Sequence, residues 1–110
     1  MYNFQFLKQN YEFRRAYKKG ECYVCPYFVL YIVKGRRDAV RMGITVGKKV
    51  GTAVKRNRAK RVLRAAFNEN FCKLTNGFDY VFVARTRILT VKSTVVGNAL
   101  LEILSKQDRQ

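Results

Sequence analysis

Residues 53–71, AVKRNRAKRVLRAAFNENF, decide how this chain folds, because they repeat apolar and basic side chains at helical spacing. The apolar residues fall at i, i+3, i+4, i+7 and i+8, the pattern of a helix that packs one face on a core. These residues are Ala59, Val62, Leu63, Ala66 and Phe67. Thr52 precedes the segment and carries a side-chain oxygen of the kind that caps helix starts. We therefore expect an amphipathic helix over residues 53–71.

The face of this helix that turns away from the core is strongly basic. Six of the ten residues 55–64 are Lys or Arg. The basic and amide side chains of this stretch are Lys55, Arg56, Asn57, Arg58, Lys60, Arg61 and Arg64. Like charges one turn apart destabilise a free helix by about 0.2–0.5 kcal/mol per pair, so such a stack needs a compensating anion. The pattern indicates that this face binds a polyanion.

Strands are expected on both sides of the basic helix. Residues 27–33 are apolar, β-branched or aromatic throughout, which predicts a strand buried on both faces or nearly so. After a turn over residues 35–38, residues 41–46 alternate weakly and are expected to pair antiparallel with the first strand as a hairpin. Residues 79–84 form a second apolar run after the helix, which gives a strand-helix-strand unit.

Two further helices are expected near the ends of the chain. Asn10 is placed to cap the first of them, whose Phe13, Ala16 and Tyr17 share one side. The last helix covers residues 92–106, with an apolar stripe of Val96, Ala99, Leu100, Ile103 and Leu104. The predicted fold class is α+β, a two-layer sandwich with a small mixed sheet, helices on one face and the order α-β-β-β-α-β-α. We expect a single domain over residues 1–110.

The charge of the chain indicates the class of its partner. There are 23 Lys and Arg against 7 Asp and Glu, a formal charge of +16, whereas solubility alone asks for about 2 to 8 charges on a small domain. Twelve basic residues and one acidic residue lie between positions 34 and 64, which places the binding face in the middle of the chain. No helix-turn-helix pattern is visible, while an Arg-rich helix with aromatic residues in an α+β frame suits RNA. An acidic membrane surface is the weaker alternative, because the apolar stripes are committed to the core.

The composition disfavours catalysis or metal binding by the chain itself. It has no His, and its acidic residues lie at least six positions apart, so no local catalytic pair or metal-binding run is present. Cys22 and Cys25 form a C-x-x-C, but with Cys72 they provide three thiols where a structural zinc site needs four ligands. The odd number of cysteines and the lack of a signal peptide predict reduced thiols in the cytoplasm. We expect no metal site, no membrane association and no stable protein partner.

One continuous stretch of the sequence is similar to a known family. Residues 43–64, GITVGKKVGTAVKRNRAKRVLR, resemble the signature of the bacterial ribonuclease P protein subunit, whose hallmark is the Arg-Asn-Arg triplet. Residues 12–17, 27–31 and 77–85 resemble the first helix, the cleft strand and a later strand of that family. The resemblance covers nearly the whole chain. It implies one α/β domain with a left-handed strand-helix-strand crossover, the hand opposite to the usual one.

The resemblance also implies a function. Such a protein joins a large catalytic RNA to form ribonuclease P, which removes the 5′ leader of precursor tRNA by metal-assisted hydrolysis. The implied partners are the catalytic RNA subunit and precursor tRNA. The implied cofactor is Mg²⁺, held mainly by the RNA subunit and the substrate, so the RNA performs the chemistry.

Residue roles carry over by matching position. The resemblance implies contacts to the RNA subunit from Lys55, Arg56, Asn57, Arg58, Lys60, Arg61 and Arg64. It implies a cleft for the single-stranded leader lined by Phe13, Tyr17, Tyr31, Lys48, Lys49 and Arg85. Gly47 stands where the family commonly has a polar or basic residue, and Thr86 stands where a Lys is common, so the resemblance carries over no hydrogen bond to the leader from these two positions. A non-enzymatic RNA-binding protein, such as a ribosomal protein or an RNA chaperone, would share the charge, the size and the lack of His.

Overall fold

The computed structural model describes residues 4–36 and 38–107. Within these ranges the chain forms five strands and three α-helices: β1 (Gln5–Phe6), α1 (Asn10–Lys19), β2 (Glu21–Val24), β3 (Phe28–Lys34), β4 (Val40–Thr45), α2 (Ala53–Glu69), β5 (Phe78–Ala84) and α3 (Ser93–Gln107). Short 3-10 helices occupy Lys48–Val50, Phe71–Lys73 and Thr86–Thr90. The predicted domain also includes residues 1–3, 37 and 108–110, which lie outside the described part.

The five strands form one mixed sheet in the order β1-β4-β5-β3-β2. Strand β4 is parallel to β1 and β5, while β3 is antiparallel to β2 and β5. The strand-helix-strand unit is confirmed as β4-α2-β5. The α+β class is confirmed as well, with one more short strand at the start of the order than the sequence predicts.

The predicted hairpin between β3 and β4 is wrong, because β5 lies between these two strands. Strand β5 pairs along its length with β3 on one side and β4 on the other. The connection from β3 to β4 must therefore cross two strand spacings, about 9.6 Å, which a tight turn cannot do. The predicted turn over residues 35–38 includes residue 37, which lies outside the described residues. Next to it, the N–H of Ala39 donates to the carbonyl of Arg36 at 3.3 Å.

The expectation that all helices lie on one face of the sheet is also wrong. Helices α2 and α3 pack on one face, where Phe67 and Leu100 meet strand residues such as Leu30 and Phe82. Helix α1 packs on the opposite face, where Ala16 joins a second cluster with Leu7, Val33 and Val81. Strands β3 and β5 are apolar on both faces, and both faces of such strands need cover.

Glycine at position 43 allows α1 to lie close to the sheet. A Cβ atom there would stand 2.7 Å from Cε1 of Phe13 and 3.1 Å from Cδ1 of Leu7. Real Cβ atoms do not approach other heavy atoms so closely. The ring of Phe13 therefore rests on the backbone of β4, and any side chain at position 43 would displace this ring.

A buried ion cluster joins α1, β4 and β5. Arg41 and Asp79 are partners in the parallel register, and the guanidinium donates to both carboxylate oxygens, Nε to Oδ1 at 2.8 Å and Nη2 to Oδ2 at 2.7 Å. Its Nη1 donates to Oε2 of Glu12 on α1 at 2.6 Å. Asp79 is only 2% exposed. Each charge in this cluster is thus paired, as burial requires.

Glu12 also organises the start of α1. Its Oε1 accepts the backbone N–H groups of Gln9 at 3.1 Å and Lys8 at 3.4 Å. Burial alone would raise the pKa of Glu12, but these two N–H groups and the Arg41 guanidinium outweigh it, so the pKa lies below its usual 4.5. Asn10 is not the cap that the sequence predicts, since Gln9 holds that position and Asn10 is the first helical residue.

The other two helices begin close to the predicted positions. Thr52 caps α2, and its hydroxyl accepts the N–H of Lys55 at 3.4 Å. Helix α2 ends at Glu69, two residues before the predicted end, and the chain continues as a 3-10 helix. None of the helices in the described ranges combines the length and apolar character needed to cross a bilayer.

We expect Arg41→Met to lower the free energy of unfolding by about 3 kcal/mol, because it leaves the buried Asp79 carboxylate without its partner. Urea unfolding followed by circular dichroism measures the loss. Arg36→Met removes an exposed arginine from the same region and should cost less than about 0.5 kcal/mol. Equal losses for the two variants would contradict the structural role of the cluster.

The stability of the protein should depend on Glu12 at acidic pH. A carboxyl whose pKa is lowered by folding stabilises the native state above its unfolded pKa of 4.5 and loses this contribution as the pH falls through the lower, folded pKa. The free energy of unfolding of Glu12→Gln should therefore fall less steeply below pH 4.5 than that of the parent. Glu102→Gln, at an exposed position of α3, serves as the control and should keep the parental slope.

Candidate nucleic-acid interface

An open groove with aromatic walls runs between α1 and β4. Its volume is about 580 Å³, and its lining residues are Asn10, Phe13, Arg14, Tyr17, Ile44 and Thr45. The ring of Tyr17 is 39% exposed and meets the ring of Tyr31 edge to face, with the centroids 5.0 Å apart. The structure thus brings together the three aromatic residues that the sequence assigns to one cleft, Phe13, Tyr17 and Tyr31.

Thr45 is a groove residue that the sequence analysis missed. Its Oγ1 lies 2.9 Å from the hydroxyl oxygen of Tyr17, a hydrogen bond that connects α1 to the end of β4. The weak alternation of residues 41–46, which leaves a polar residue exposed near the end of the strand, is the sequence signal that could have indicated Thr45 as a groove residue. The bond fixes the direction in which the Tyr17 ring faces the groove.

A second groove of about 600 Å³ continues from the first and is basic. Lys48, Lys49 and Arg85 line it and are all exposed. Val83 also lines it and is the register partner of Thr45, so the two grooves adjoin. The guanidinium of Arg85 donates to the carbonyl of Cys25 at 3.1 Å, which holds this cation at the wall. The predicted lysine and arginine positions therefore flank the aromatic groove.

The two positions that depart from the family pattern, Gly47 and Thr86, both line the basic groove. A Cβ atom built at Gly47 meets no other atom within 4 Å. The basic groove is therefore open at this point, and no side chain of this chain reaches into it from position 47.

The parallel pairing of β4 and β5 explains why these residues meet. The carboxyl ends of parallel strands lie at the same edge of a sheet, here at Thr45 and Ala84. Lys48 and Lys49 follow the first strand and Arg85 follows the second. Helix α2 starts at Ala53, directly after this basic loop, so its positive N-terminal end lies at the same edge.

The cations of α2 form two rows rather than one face. The outer row consists of three cations, Lys55, Arg58 and Arg61, together with Asn57 of the Arg-Asn-Arg triplet, and all four side chains are exposed. Those of the inner row lie one turn apart and are half-buried: Arg56, Lys60 and Arg64. The sequence predicts that Lys60 and Arg64 lie opposite the core, but both side chains are half-buried.

Arg64 of the inner row packs against the neighbouring strand. The guanidinium carbon of Arg64 lies 5.2 Å from the ring centroid of Phe6 on β1, a cation–π contact. The Nε atoms of Arg56 and Arg64 are buried and have no hydrogen-bond partner among the described residues. These two guanidinium groups are therefore oriented by packing and are not neutralised by a carboxylate of the described chain.

The three cysteines do not come together. Cys22 is the register partner of Tyr31 and lies on the α1 face of the sheet, while Cys25 packs against the core on the other face. Cys72 is exposed on the 3-10 helix after α2. Burial, together with the neighbouring Cys22 thiol, raises the pKa of Tyr31. No group of three or more His, Cys, Asp or Glu placed to hold a metal ion occurs in residues 4–36 and 38–107.

Comparison with known proteins gives one consistent result. The model of the Ribonuclease P family matches residues 1–108. The ribonuclease P protein component of Clostridium kluyveri is 36% identical over 102 residues, which cover 91% of each chain. The structure of the RNase P protein from Thermotoga maritima superposes with a TM-score of 0.81 at 31% identity, covering 93% of this chain and 96% of that one. For the Staphylococcus aureus RNase P protein the TM-score is 0.79 at 32% identity, with 93% and 94% covered.

These matches extend over both grooves, the basic helix and the sheet that positions them. Sequence and fold agree along nearly the whole length of the relatives, so the similarity is not confined to the Arg-Asn-Arg stretch. The chain belongs to the ribonuclease P protein family.

Proposed function

We propose that this chain binds the catalytic RNA of ribonuclease P through α2 and the 5′ leader of precursor tRNA through the two adjoining grooves, and thereby promotes cleavage at the mature 5′ end. The observation that carries the proposal is the convergence of three features at one edge of the sheet. These are the aromatic groove, the basic loop and the start of the basic helix. A substrate leader lying in the grooves would therefore end beside the surface that contacts the RNA subunit.

The grooves suit a single-stranded leader. Stacking on an aromatic ring requires an unpaired base, and the exposed part of the Tyr17 ring offers such a platform without selecting a particular sequence. Lys48, Lys49 and Arg85 supply positive charge for the phosphates next to it. Each phosphate contact to a single strand contributes a slope of about −0.7 to the dependence of log affinity on log salt, so three contacts give about −2.

The two rows on α2 suit a folded RNA. Guanidinium groups bind phosphates through two parallel hydrogen bonds, and the positive end of the helix adds to their field. The packed stems of Arg56 and Arg64 reduce the side-chain entropy lost on binding. The exposed outer row with Arg58 and Arg61 extends the contact to RNA on the solvent side. We propose that both rows bind the RNA subunit.

We propose that the RNA subunit, rather than the side chains of this chain, carries out phosphodiester cleavage. The sequence has no His, and the carboxylates of Glu12 and Asp79 are engaged by Arg41. We therefore propose that the RNA subunit and the substrate phosphates hold Mg²⁺. The proposed place of action is the bacterial cytoplasm.

The first prediction from this function concerns cleavage. A bacterial ribonuclease P RNA at low magnesium should cut precursor tRNA at the mature 5′ end faster with this chain than without it. The double variant Arg56→Ala, Arg58→Ala should lose that stimulation, while circular dichroism shows an intact fold. Lys106→Ala, an exposed cation on α3, is the matched control and should stimulate like the parent. Tight RNA binding without any gain in cleavage would instead assign the chain to the non-enzymatic RNA-binding proteins.

The second prediction concerns the leader. Tyr17→Ala should weaken binding of precursor tRNA by the holoenzyme about fivefold or more, the effect of losing one stacked base, and should leave mature tRNA binding unchanged. Tyr17→Phe keeps the ring but loses the bond to Thr45, so its effect should be smaller. Equal losses for precursor and mature tRNA would show that Tyr17 does not contact the leader. Urea unfolding of both variants checks the packing against Tyr31.

A further inference from the structure

A second concave surface lies at the other end of α1, away from the basic loop. It consists of two adjoining hollows of about 250 and 520 Å³, which share Tyr11, Glu12, Arg36 and Arg41 in their walls. The grooves proposed to hold the leader do not include any of these four residues. We call this surface the Tyr11 hollow.

The aromatic side chain of the hollow is available for stacking. Tyr11 is 64% exposed, the most exposed aromatic side chain among the large hydrophobic residues of the described chain. It sits in the first turn of α1, so its backbone is held by the helix while the ring projects from the fold. Within the described ranges its hydroxyl makes no hydrogen bond and its ring contacts no other ring. An exposed ring of this kind offers a face on which an unpaired base can stack.

The hollow is also cationic. Its walls carry four cationic side chains, Lys8, Arg15, Arg36 and Arg41, against the two carboxylates of Glu12 and Asp79. Both carboxylates are engaged by Arg41, which limits their repulsion of an anion. This leaves the other three cations without a carboxylate partner among the described residues.

One of these three cations is held in position. Arg15 donates from Nη2 to the carbonyl of Lys34 at 2.7 Å, which fixes its guanidinium at the wall. Arg36 and Lys8 are exposed, and their side chains form no ion pair with the described residues. The three cations and the Tyr11 ring therefore present the combination that single-stranded nucleic acid binds, a stacking platform with cations for the phosphates.

The hollow lies on the same face of the sheet as the aromatic groove. Arg41 in the hollow and Thr45 in the groove both point to the α1 face of β4, four residues apart, which is about 13 Å along an extended strand. Helix α1 borders both sites. The basic loop and the start of α2 are at the groove end, so the hollow is at the end farther from the start of α2. Near the end of α2, Arg64 packs on Phe6, which lines the hollow.

We propose that the Tyr11 hollow is a second single-strand subsite, which binds the part of the precursor leader farthest from the cleavage site. This rests on the proposed function, since it requires the leader to occupy the aromatic groove first. A base stacks on Tyr11, and Arg36 with Lys8 binds the adjacent phosphates. Long leaders then gain affinity that short leaders cannot, because only a long leader reaches past the groove.

The test compares leader length with substitution in the reconstituted holoenzyme. Precursor tRNAs with leaders of about 4 and about 12 nucleotides, within the range of single-strand site sizes, are titrated with the parent, Tyr11→Ala and Arg36→Gln. The parent should bind the long-leader precursor about fivefold or more tightly than the short-leader precursor. Each variant should lose most of that gain, while its affinity for the short-leader precursor stays unchanged. Since both positions are exposed, we expect the variants to fold like the parent.

Two controls separate the alternatives. Tyr11→Phe keeps the stacking ring and should retain the gain, whereas Lys106→Gln removes a cation from α3 and should change neither affinity. Equal losses for both leader lengths would overturn the proposal and assign Tyr11 to the RNA subunit or the tRNA body. Unchanged affinity for the long leader would overturn it as well. Failure of the proposed function gives a different result, because the parent protein would then not stimulate cleavage of the short-leader precursor by the RNA subunit.

Discussion

The arrangement of the whole site depends on the guanidinium of Arg41, which Glu12 and Asp79 hold at the junction of α1, β4 and β5. A buried ion cluster adds little stability over an apolar replacement, but each of its charges needs its partner within hydrogen-bond distance. Here that requirement sets where α1 crosses the sheet. The position of α1 in turn sets the width of the groove that contains Tyr17. Two different surfaces of the protein, the groove and the Tyr11 hollow, are therefore built around one paired charge.

Much of this fold follows from local sequence patterns. The helical spacing from Ala59 to Phe67 predicts both the extent of α2 and its buried face, and Thr52 marks its start, because these signals act within a few turns. The placement of β5 between β3 and β4 does not follow, since strand pairing depends on residues far apart in sequence. The same applies to α1, whose short apolar side gives no indication of which sheet face it covers. The Arg41 cluster joins residues 29 and 38 positions apart and leaves no local pattern.

In the candidate site, too, some features follow from local sequence and others depend on contacts between distant residues. Residue types in the 43–64 stretch indicate RNA contacts, and the aromatic residues of the cleft come together as expected. The sequence could not show that Arg56, Lys60 and Arg64 lie in a half-buried row, because the packing of Arg64 on Phe6 requires β1, a strand of two residues. Nor could it separate Cys22 from Cys25, since only the pairing of β2 places them on opposite faces. The sequence thus predicts which surface is charged, whereas the direction in which each charged side chain points depends on tertiary contacts.

The central position of β5 also constrains the order in which the chain acquires its structure. Strands β3 and β4 have no pairing with each other, so the β1-β4 and β2-β3 pairs cannot join into one sheet until residues 78–84 have been synthesised. Helix α2 is synthesised before that strand, and its basic side chains are present before the face that covers its apolar side is complete. Contacts between distant strands form more slowly than helical turns. Until β5 is available, the apolar side of α2 therefore lacks the strand residues Tyr80 and Phe82 on which Phe67 packs.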